Sequence, residues 1–547
     1  MIPWILLIAL ILVYSITLPS LLKRAGLSST LGYIPIANFF PFLKMIKRPW
    51  WWFFLLLSPG VNLLMLVIIN VELGIAFGKR KPGEQWFFGA LPWYALFKLA
   101  YQEKEVAYVG PRDWTGKKKS FGREWGEAIV FAVIAASVIR TFFIEAFTIP
   151  TPSMEKSMLV GDYLFVSKLS YGPKIPQTPM SIPFVHNAMP GSMTNSYVDW
   201  FSLPYFRLPG LGHVERFDPV VFNFPNGDTI MVDPFYAGHD YYSYVRKEGM
   251  FLSGSVENYF QSPEKFDQMA RDNFAEKNTC KICAREKGVR SYPIAGIRQR
   301  PMDKKENYVK RCIGLPGENL KIVNRQVHIN DQPIDNPQGM MYSYLVRVKS
   351  LTVLDKIYKD FKVNRGDRNY GTDRNTQEVI GISSFTQEDY EQLKNYSGVI
   401  SIEVNNDTVN DEPLAIYPNS NLAPFNTWTR DNLGPIHIPA KGETIQLTPE
   451  NIALYKRVIA VYENNDWVER DGGIFINGVA ATSYTFKQDY YWMMGDNRHQ
   501  SADSRYWGFV PEDHVVGKPV FTWFSKENLE YQETGEIRWS RMFRMVK

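Results

Sequence analysis

The chain has 547 residues, too many for one compact core, so several domains are expected. Aromatic residues make up 15% of it, which fits a membrane or β-rich protein rather than a disordered one. A formal charge of +5, from 61 basic and 56 acidic residues, gives no electrostatic case for nucleic acid, and three cysteines exclude a disulfide scaffold.

Residues 1–22 carry no charged side chain and end at Lys23-Arg24. A cleaved signal peptide would place basic residues first and small residues at the cut, so this stretch reads as a spanning helix. A second uncharged run, 49–71, opens on Trp50-Trp51-Trp52 and is interrupted by Ser58-Pro59-Gly60, the pattern of a helical hairpin. Residues 86–97 are apolar but short, hence interfacial or buried. Residues 1–101 are therefore expected to form a multi-span membrane module. The number of spans stays open, because Lys79-Arg80-Lys81 favours the cytoplasmic side as Lys117-Lys118-Lys119 does. Residues 102–123 read as a basic cytoplasmic linker and 124–146 as a transmembrane anchor. Its uncharged centre is only 128–139, so the competing reading is a buried helix of a soluble core. Arg140 near its end can snorkel to headgroups, and the basic cluster before it places everything beyond residue 146 outside the cytoplasm.

From residue 147 short apolar runs alternate with turn signals. Runs at 163–166, 220–224, 320–329, 399–404 and 474–476 are separated by Asn226-Gly227-Asp228, Asp471-Gly472-Gly473 and Asn477-Gly478. No long amphipathic helical pattern stands out. The expected fold is mainly β: an antiparallel catalytic sheet with inserted β and coil regions. Core parts at 147–225, 306–335 and 448–525 are interrupted by insertions at 226–305 and 336–447 and followed by a tail at 526–547. Residues 172–213, rich in Pro, Ser, Met and Gly, read as an exposed loop. Cys280 and Cys283 form a lone CxxC without a second pair to complete a zinc site.

Three segments carry chemistry. In Thr148-Ile149-Pro150-Thr151-Pro152-Ser153-Met154 the prolines exclude helix and display a serine just beyond the anchor. A nucleophilic serine needs a base, and lysine can serve if burial lowers its proton affinity. A fall of about 3 pKa units costs the charged form roughly 4 kcal/mol. In a strand, Lys310 shares a face with Tyr308 and Cys312, while Arg311 points the other way. The third segment runs from Gly495 to Gly508, and its Asp and Arg residues can stiffen a site. A weak internal echo relates Tyr308-Val309-Lys310-Arg311-Cys312-Ile313 to Leu454-Tyr455-Lys456-Arg457-Val458-Ile459, and so offers Lys456 as a rival base.

These segments, with RFDPVVFNF at 216–224, resemble the sequence boxes of the type I signal peptidase family, in the right order. YVKRCIGLPGE at 308–318 resembles its lysine box and GDNRHQSADSRYWG at 495–508 its GDNR box. The resemblance covers about 124–225, 306–335 and 448–525. It implies a membrane-bound serine endopeptidase with a Ser/Lys dyad, and the alternative is a degenerate relative that binds preproteins without cutting them. It implies Ser153 as nucleophile, Lys310 as base, and Ser153 N–H with the Thr151 hydroxyl as oxyanion hole. Ser501 would orient Lys310, while Asp496, Asp503, Arg505 and Arg311 would brace the site. Phe147, Ile149, Met154, Tyr308 and Val309 would bind substrate. It further implies no metal or cofactor, and as partners preproteins with Ala-x-Ala signal peptides and the lipid bilayer. The location implied is the cytoplasmic membrane, multi-pass, with the catalytic domain on the outer, periplasmic face. Two departures stand out. Phe217 replaces a usual Gly, and Glu155-Lys156-Ser157 replaces x-Pro-Thr after Ser153-Met154. The second creates the Ser153-x-x-Lys156 spacing of penicillin-binding enzymes, whose SDN and KTG partners this sequence lacks.

Overall fold

The computed structural model describes every residue except Met1, Pro59, 113–120, Gln338, Arg374, Asn375, Gln377, 407–413, Asp471 and Lys547, and the side chains of residues 2–8 and 10. The cluster Lys117-Lys118-Lys119 and two of the turn residues, Pro59 and Asp471, thus lie outside the described residues. The chain divides into two compact units, Met1–Phe142 with Ile175–Phe206, and Phe143–Lys174 with Arg207–Lys547.

The first unit is helical. Its elements include Ile2–Arg24, Trp52–Leu57, Asn62–Ala76, Pro82–Ala90 and Phe121–Phe142. The expected break between two apolar helices falls at 58–61, where the backbone leaves helix after Leu57 and resumes at Asn62. Tyr14, Leu18, Phe42, Leu73 and Leu96 form part of the buried core. Among the described residues one helix, Phe121–Phe142, is long and apolar enough to cross a membrane. It ends earlier than the predicted anchor, because Ile144 and Glu145 are already strand residues paired with Ser167 and Val166. Residues 175–206, expected as an exposed loop, belong to this unit, where the Gly60 N–H donates to the Pro179 carbonyl at 3.2 Å.

The second unit is built on an eight-stranded sheet. Its path runs Ile144–Thr148, Asp162–Ser167, Val515–Ser525, Pro219–Asn223, Asn307–Gly314, Tyr490–Met494 and Val510–Pro511, with Arg544–Met545 beside Val515–Ser525. All these pairings are antiparallel. Pro219–Asn223 and Tyr490–Met494 are buried along their whole length. Their continuous apolar runs match a sheet covered on both faces. Pro219–Asn223 pairs with Asn307–Gly314 from Pro219↔Arg311 to Asn223↔Asn307. The entire 226–305 insertion therefore leaves and re-enters at one sheet end.

Both insertions contain helices that the sequence reading missed. The first carries Tyr241–Ser253, Val256–Gln261, Pro263–Ala275 and Lys281–Glu286, with Cys280 and Cys283 joined in a disulfide. The buried face of Tyr241–Ser253 includes Tyr241, Tyr244, Val245 and Glu248, an i, i+3, i+4, i+7 stripe in which Val245 is the one aliphatic side chain. The second insertion forms a four-stranded antiparallel sheet, Asn369–Thr372, Val379–Thr386, Met341–Val348 and Val399–Val404, with the helices Leu351–Asp360 and Gln387–Leu393. The internal echo is not a repeated β unit, because Asn307–Gly314 is a strand whereas Ile452–Arg457 is a helix.

Candidate active site

Ser153 sits in the short 3-10 turn Pro152–Met154, which follows Thr151 in extended conformation. The loop is pinned on both sides. The Ile149 N–H donates to the Asp162 carbonyl and the Gly161 N–H to the Ile149 carbonyl, both at 2.9 Å, and the Met158 N–H donates to the Met154 carbonyl at 2.8 Å. Asp162 is wholly buried and ion-paired to Arg538 and Arg541 at 3.3 and 2.6 Å. These tail arginines, from a segment that the sequence marked only as a tail, hold the base of the Ser153 loop. Their contribution leaves no local sequence signal, since it arises from a contact across more than 370 positions.

Lys310 lies on the strand Asn307–Gly314, and its Nζ is 2.6 Å from Ser153 Oγ. Lys310 is 3% exposed and Ser153 6%. Burial pushes the Lys310 amine down to about 8, further helped by the Arg505 charge and opposed by Asp503 and Asp496. Burial alone does not single it out, because Lys305 is also lowered to about 8 and Lys174 well below its usual range. Lys305 contacts His514 and the Pro225 carbonyl, and Lys174 contacts Asn223 and the carbonyls of Asp513 and His514. Lys310, by contrast, faces the Ser153 hydroxyl.

The rival lysines point elsewhere. Lys456 is half exposed and paired with Glu469 at 2.8 Å. Lys156 has a positive φ of 71° and pairs with Asp389 of the second insertion at 3.4 Å. Ser153 does not begin a helix of the length that the penicillin-binding arrangement needs.

The 495–508 loop closes the site through two buried ion pairs. Asp496 accepts from Arg311 Nε at 2.8 Å and Nη2 at 2.7 Å, a bidentate pair that also receives Ser157 Oγ at 2.6 Å. Ser157, one of the departures from the family pattern, thus ties the nucleophile loop to Asp496. Asp503 accepts from Arg505 Nε at 2.9 Å and Nη2 at 2.8 Å. Burial works against the Asp503 charge, but Arg505 and the Gly495 N–H hold its carboxyl below the usual range. The Asn497 N–H donates to the Ser153 carbonyl at 3.1 Å. Gly495 is required by space, since a Cβ there would strike Ser501 Oγ and lie 2.6 Å from the Ser153 carbonyl oxygen. Phe217, in place of the usual Gly, holds a positive φ of 69° while its carbonyl accepts from Arg311 Nη1 at 2.7 Å. That conformation costs a bulky residue on the order of 1–2 kcal/mol.

The expected hydrogen bond from Ser501 to Lys310 is not formed. The Ser501 hydroxyl is buried, acts on the Asp503 carboxylate, and packs in the space that the absent side chain of Gly495 leaves. Thr151 Oγ1 stands 3.4 Å from Ser153 Oγ, on an exposed residue. Ile149, Met154 and Val309 come together with Met158 and Leu164, and Phe147 joins Val309 in an adjoining cluster. Tyr308 packs separately, against Phe222, Phe224 and Trp507.

The second insertion braces this loop. The Met341 N–H donates to the Asp496 carbonyl at 2.9 Å, and the Ser343 N–H to His499 Nδ1 at 3.3 Å. His499 Nε2 lies 2.9 Å from Asp431 Oδ1.

The arrangement sets a serine hydroxyl against a buried amine on an antiparallel sheet. Residues 122–379 and 478–524, over half of the chain, match the family described as signal peptidase, peptidase S26. The chain belongs to that family. Residues 31–111 match a second family, of unknown function (DUF5684). Signal peptidase I of Buchnera aphidicola subsp. Acyrthosiphon pisum is 26% identical over 269 residues, 49% of this chain and 64% of the relative. Signal peptidase I of Buchnera aphidicola subsp. Baizongia pistaciae is 21% identical over 412 residues, 75% of this chain and 79% of the relative. Thylakoidal processing peptidase 1 of Arabidopsis thaliana is 34% identical over 88 residues, 14% of this chain and 25% of the relative. The chain thus spans just under two thirds of the first of these relatives and a quarter of the last.

Proposed function

We propose that the protein is a signal peptidase I: a membrane-bound serine endopeptidase that removes signal peptides from exported preproteins. The observation that carries this is the 2.6 Å approach of Lys310 Nζ to Ser153 Oγ inside a buried site. In the proposed reaction the neutral Lys310 amine accepts the Ser153 hydroxyl proton as Oγ attacks the scissile carbonyl carbon. The Ser153 N–H and Thr151 hydroxyl stabilise the oxyanion. The ammonium of Lys310 then protonates the departing amine, and water, deprotonated by the same lysine, releases the acyl group from Ser153. Asp496–Arg311 and Asp503–Arg505 keep the loop beneath the dyad in one geometry. The cluster of Ile149, Met154 and Val309, with neighbouring Phe147, supplies apolar surface for the small residues of an Ala-x-Ala site.

In this reading the helical module of 1–101 and the Phe121–Phe142 helix anchor the chain as a multi-pass protein of the cytoplasmic membrane. The catalytic domain works on the outer face, with its core in three parts at 147–225, 306–335 and 448–525. The test is cleavage of an Ala-x-Ala preprotein by the full chain in detergent. Ser153→Ala and Lys310→Met are expected to lower the rate by about 10³-fold or more. Lys156→Ala and Lys456→Met are expected to stay within about threefold of wild type, since each removes an ion pair that does not involve Ser153 or Lys310, half-buried to Asp389 for Lys156 and exposed to Glu469 for Lys456. Retained cleavage in Lys310→Met with loss in Lys456→Met would refute the assignment of the base.

A further inference from the structure

A cavity of about 490 Å³ lies on the far side of Tyr308, the strand neighbour of Lys310, and neither Ser153 nor Lys310 lines it. Its walls include Phe224, Tyr308, Trp507 and Ala502 of the core, and Arg246 and Met250 from the insertion helix Tyr241–Ser253. Tyr308 and Lys310 share one face of their strand, and Lys310 Nζ lies 5.7 Å from the centre of the Tyr308 ring, so this wall connects the cavity to the reacting amine. Val309, on the opposite face, packs instead with Ile149 and Met154.

The chemistry fixes which part of a substrate meets each side. The acyl half stays bonded to Ser153 Oγ, whereas the leaving amine takes its proton from Lys310 Nζ. On the peptidase reading, the Tyr308 wall beside Lys310 offers the chain beyond the cut a path into this cavity. Arg246 waits there half-buried, with no hydrogen bond or ion pair to any described residue. The nearby carboxylate of Asp240 is already engaged by the Tyr242 N–H at 3.1 Å and Asn226 Nδ2 at 3.2 Å, and Asp267 by the Tyr259 hydroxyl at 2.8 Å. Lys247 adds a second, exposed cation to the rim. The charges of Asp240 and Asp267 act on Arg246 at longer range, but a partly desolvated guanidinium with no hydrogen bond or ion pair among the described residues, on an aromatic wall, is a recognition group for a carboxylate.

We propose that this cavity receives the first residues of the released polypeptide, and that Arg246 gives the enzyme a preference for an acidic side chain there. The inference rests on the peptidase reading and assigns the 226–305 insertion to substrate selection.

The test uses the full chain in detergent and preproteins that differ only by Asp, Asn or Lys at one of the first four positions after the cut. The ratio of kcat/KM for two substrates within one enzyme preparation does not depend on the folded fraction, so a partly unfolded variant still reports. Wild type is expected to favour Asp over Asn by about tenfold at one position. Arg246→Gln should bring that ratio close to one, and Arg246→Glu should shift the preference to Lys. Equal rates for Asp and Asn at all four positions in wild type, or an Asp preference that survives both substitutions, overturns the inference while leaving the peptidase reading intact. No cleavage of any substrate by wild type overturns the peptidase reading itself.

Discussion

Ser153 Oγ and Lys310 Nζ meet 157 positions apart in sequence, in a site that burial keeps nearly dry. In the proposed mechanism the neutral amine is the reactive form, and burial pushes its pKa down to about 8, so the rate should follow its deprotonation. Below about pH 8, kcat/KM is expected to rise roughly tenfold per pH unit and then level off. A profile flat from pH 6 to 9 under conditions where cleavage chemistry is rate-limiting would exclude Lys310 as the titrating base.

Gly495 makes a steric prediction. A methyl at this position meets the Ser153 carbonyl oxygen and the Ser501 hydroxyl, so Gly495→Ala must displace the nucleophile loop or the 495–508 loop. A shift of about 1 Å in the reacting groups costs on the order of 100-fold. The expected result is a loss of that size in kcat with the preprotein still bound. Wild-type kcat in Gly495→Ala would show that the backbone relaxes without disturbing the dyad.

Glu155, two residues after the nucleophile, is 8% exposed and its Oε2 has no hydrogen-bond partner. Burial pushes its carboxyl up to about 7 from 4.5. Lys156, Arg538 and the Asn364 side chain act against that rise, and Asp367, itself raised to about 6, adds to it. Between those two pH values the folded protein holds a proton that the unfolded chain releases, so stability falls as pH rises from about 4.5 to 7. Glu155→Gln, which stays neutral, is expected to be more stable than wild type at pH 8 by up to roughly 3 kcal/mol. The gain should vanish at pH 4. Thermal melts at both values check it, and a Tm difference that does not change with pH would refute the account.

That Ser153 and Lys310 belong together was legible in the sequence because motif chemistry is local. Pro150 and Pro152 around Ser153, and the alternation that puts Lys310 on an apolar strand face, are readable within a dozen residues. The helices of the insertions were not, because their buried faces use Tyr241, Tyr244, Glu248, Asn273 and Phe274, which a search for aliphatic periodicity passes over. Ser157, Arg538 and Arg541 brace the Ser153 loop through partners hundreds of positions away, so no sequence window contains the reason for them. Lys456 is the converse case. Its surrounding residues imitate those of Lys310, but Ile452–Arg457 coils as a helix and turns the amine toward Glu469.

The pairing of Asn223 with Asn307 also governs what this scaffold can tolerate. The two residues sit opposite one another and their side chains bond at 3.0 Å, so the helical insertion hangs from the tip of a hairpin whose stem is the catalytic sheet itself. Closing such a tip costs only about 0.6 kcal/mol more for each doubling of its length. Once the stem is formed, residues can be added, exchanged or lost above it while Lys310, three positions down the strand, keeps its register. The same architecture can thus carry different recognition elements over unchanged chemistry.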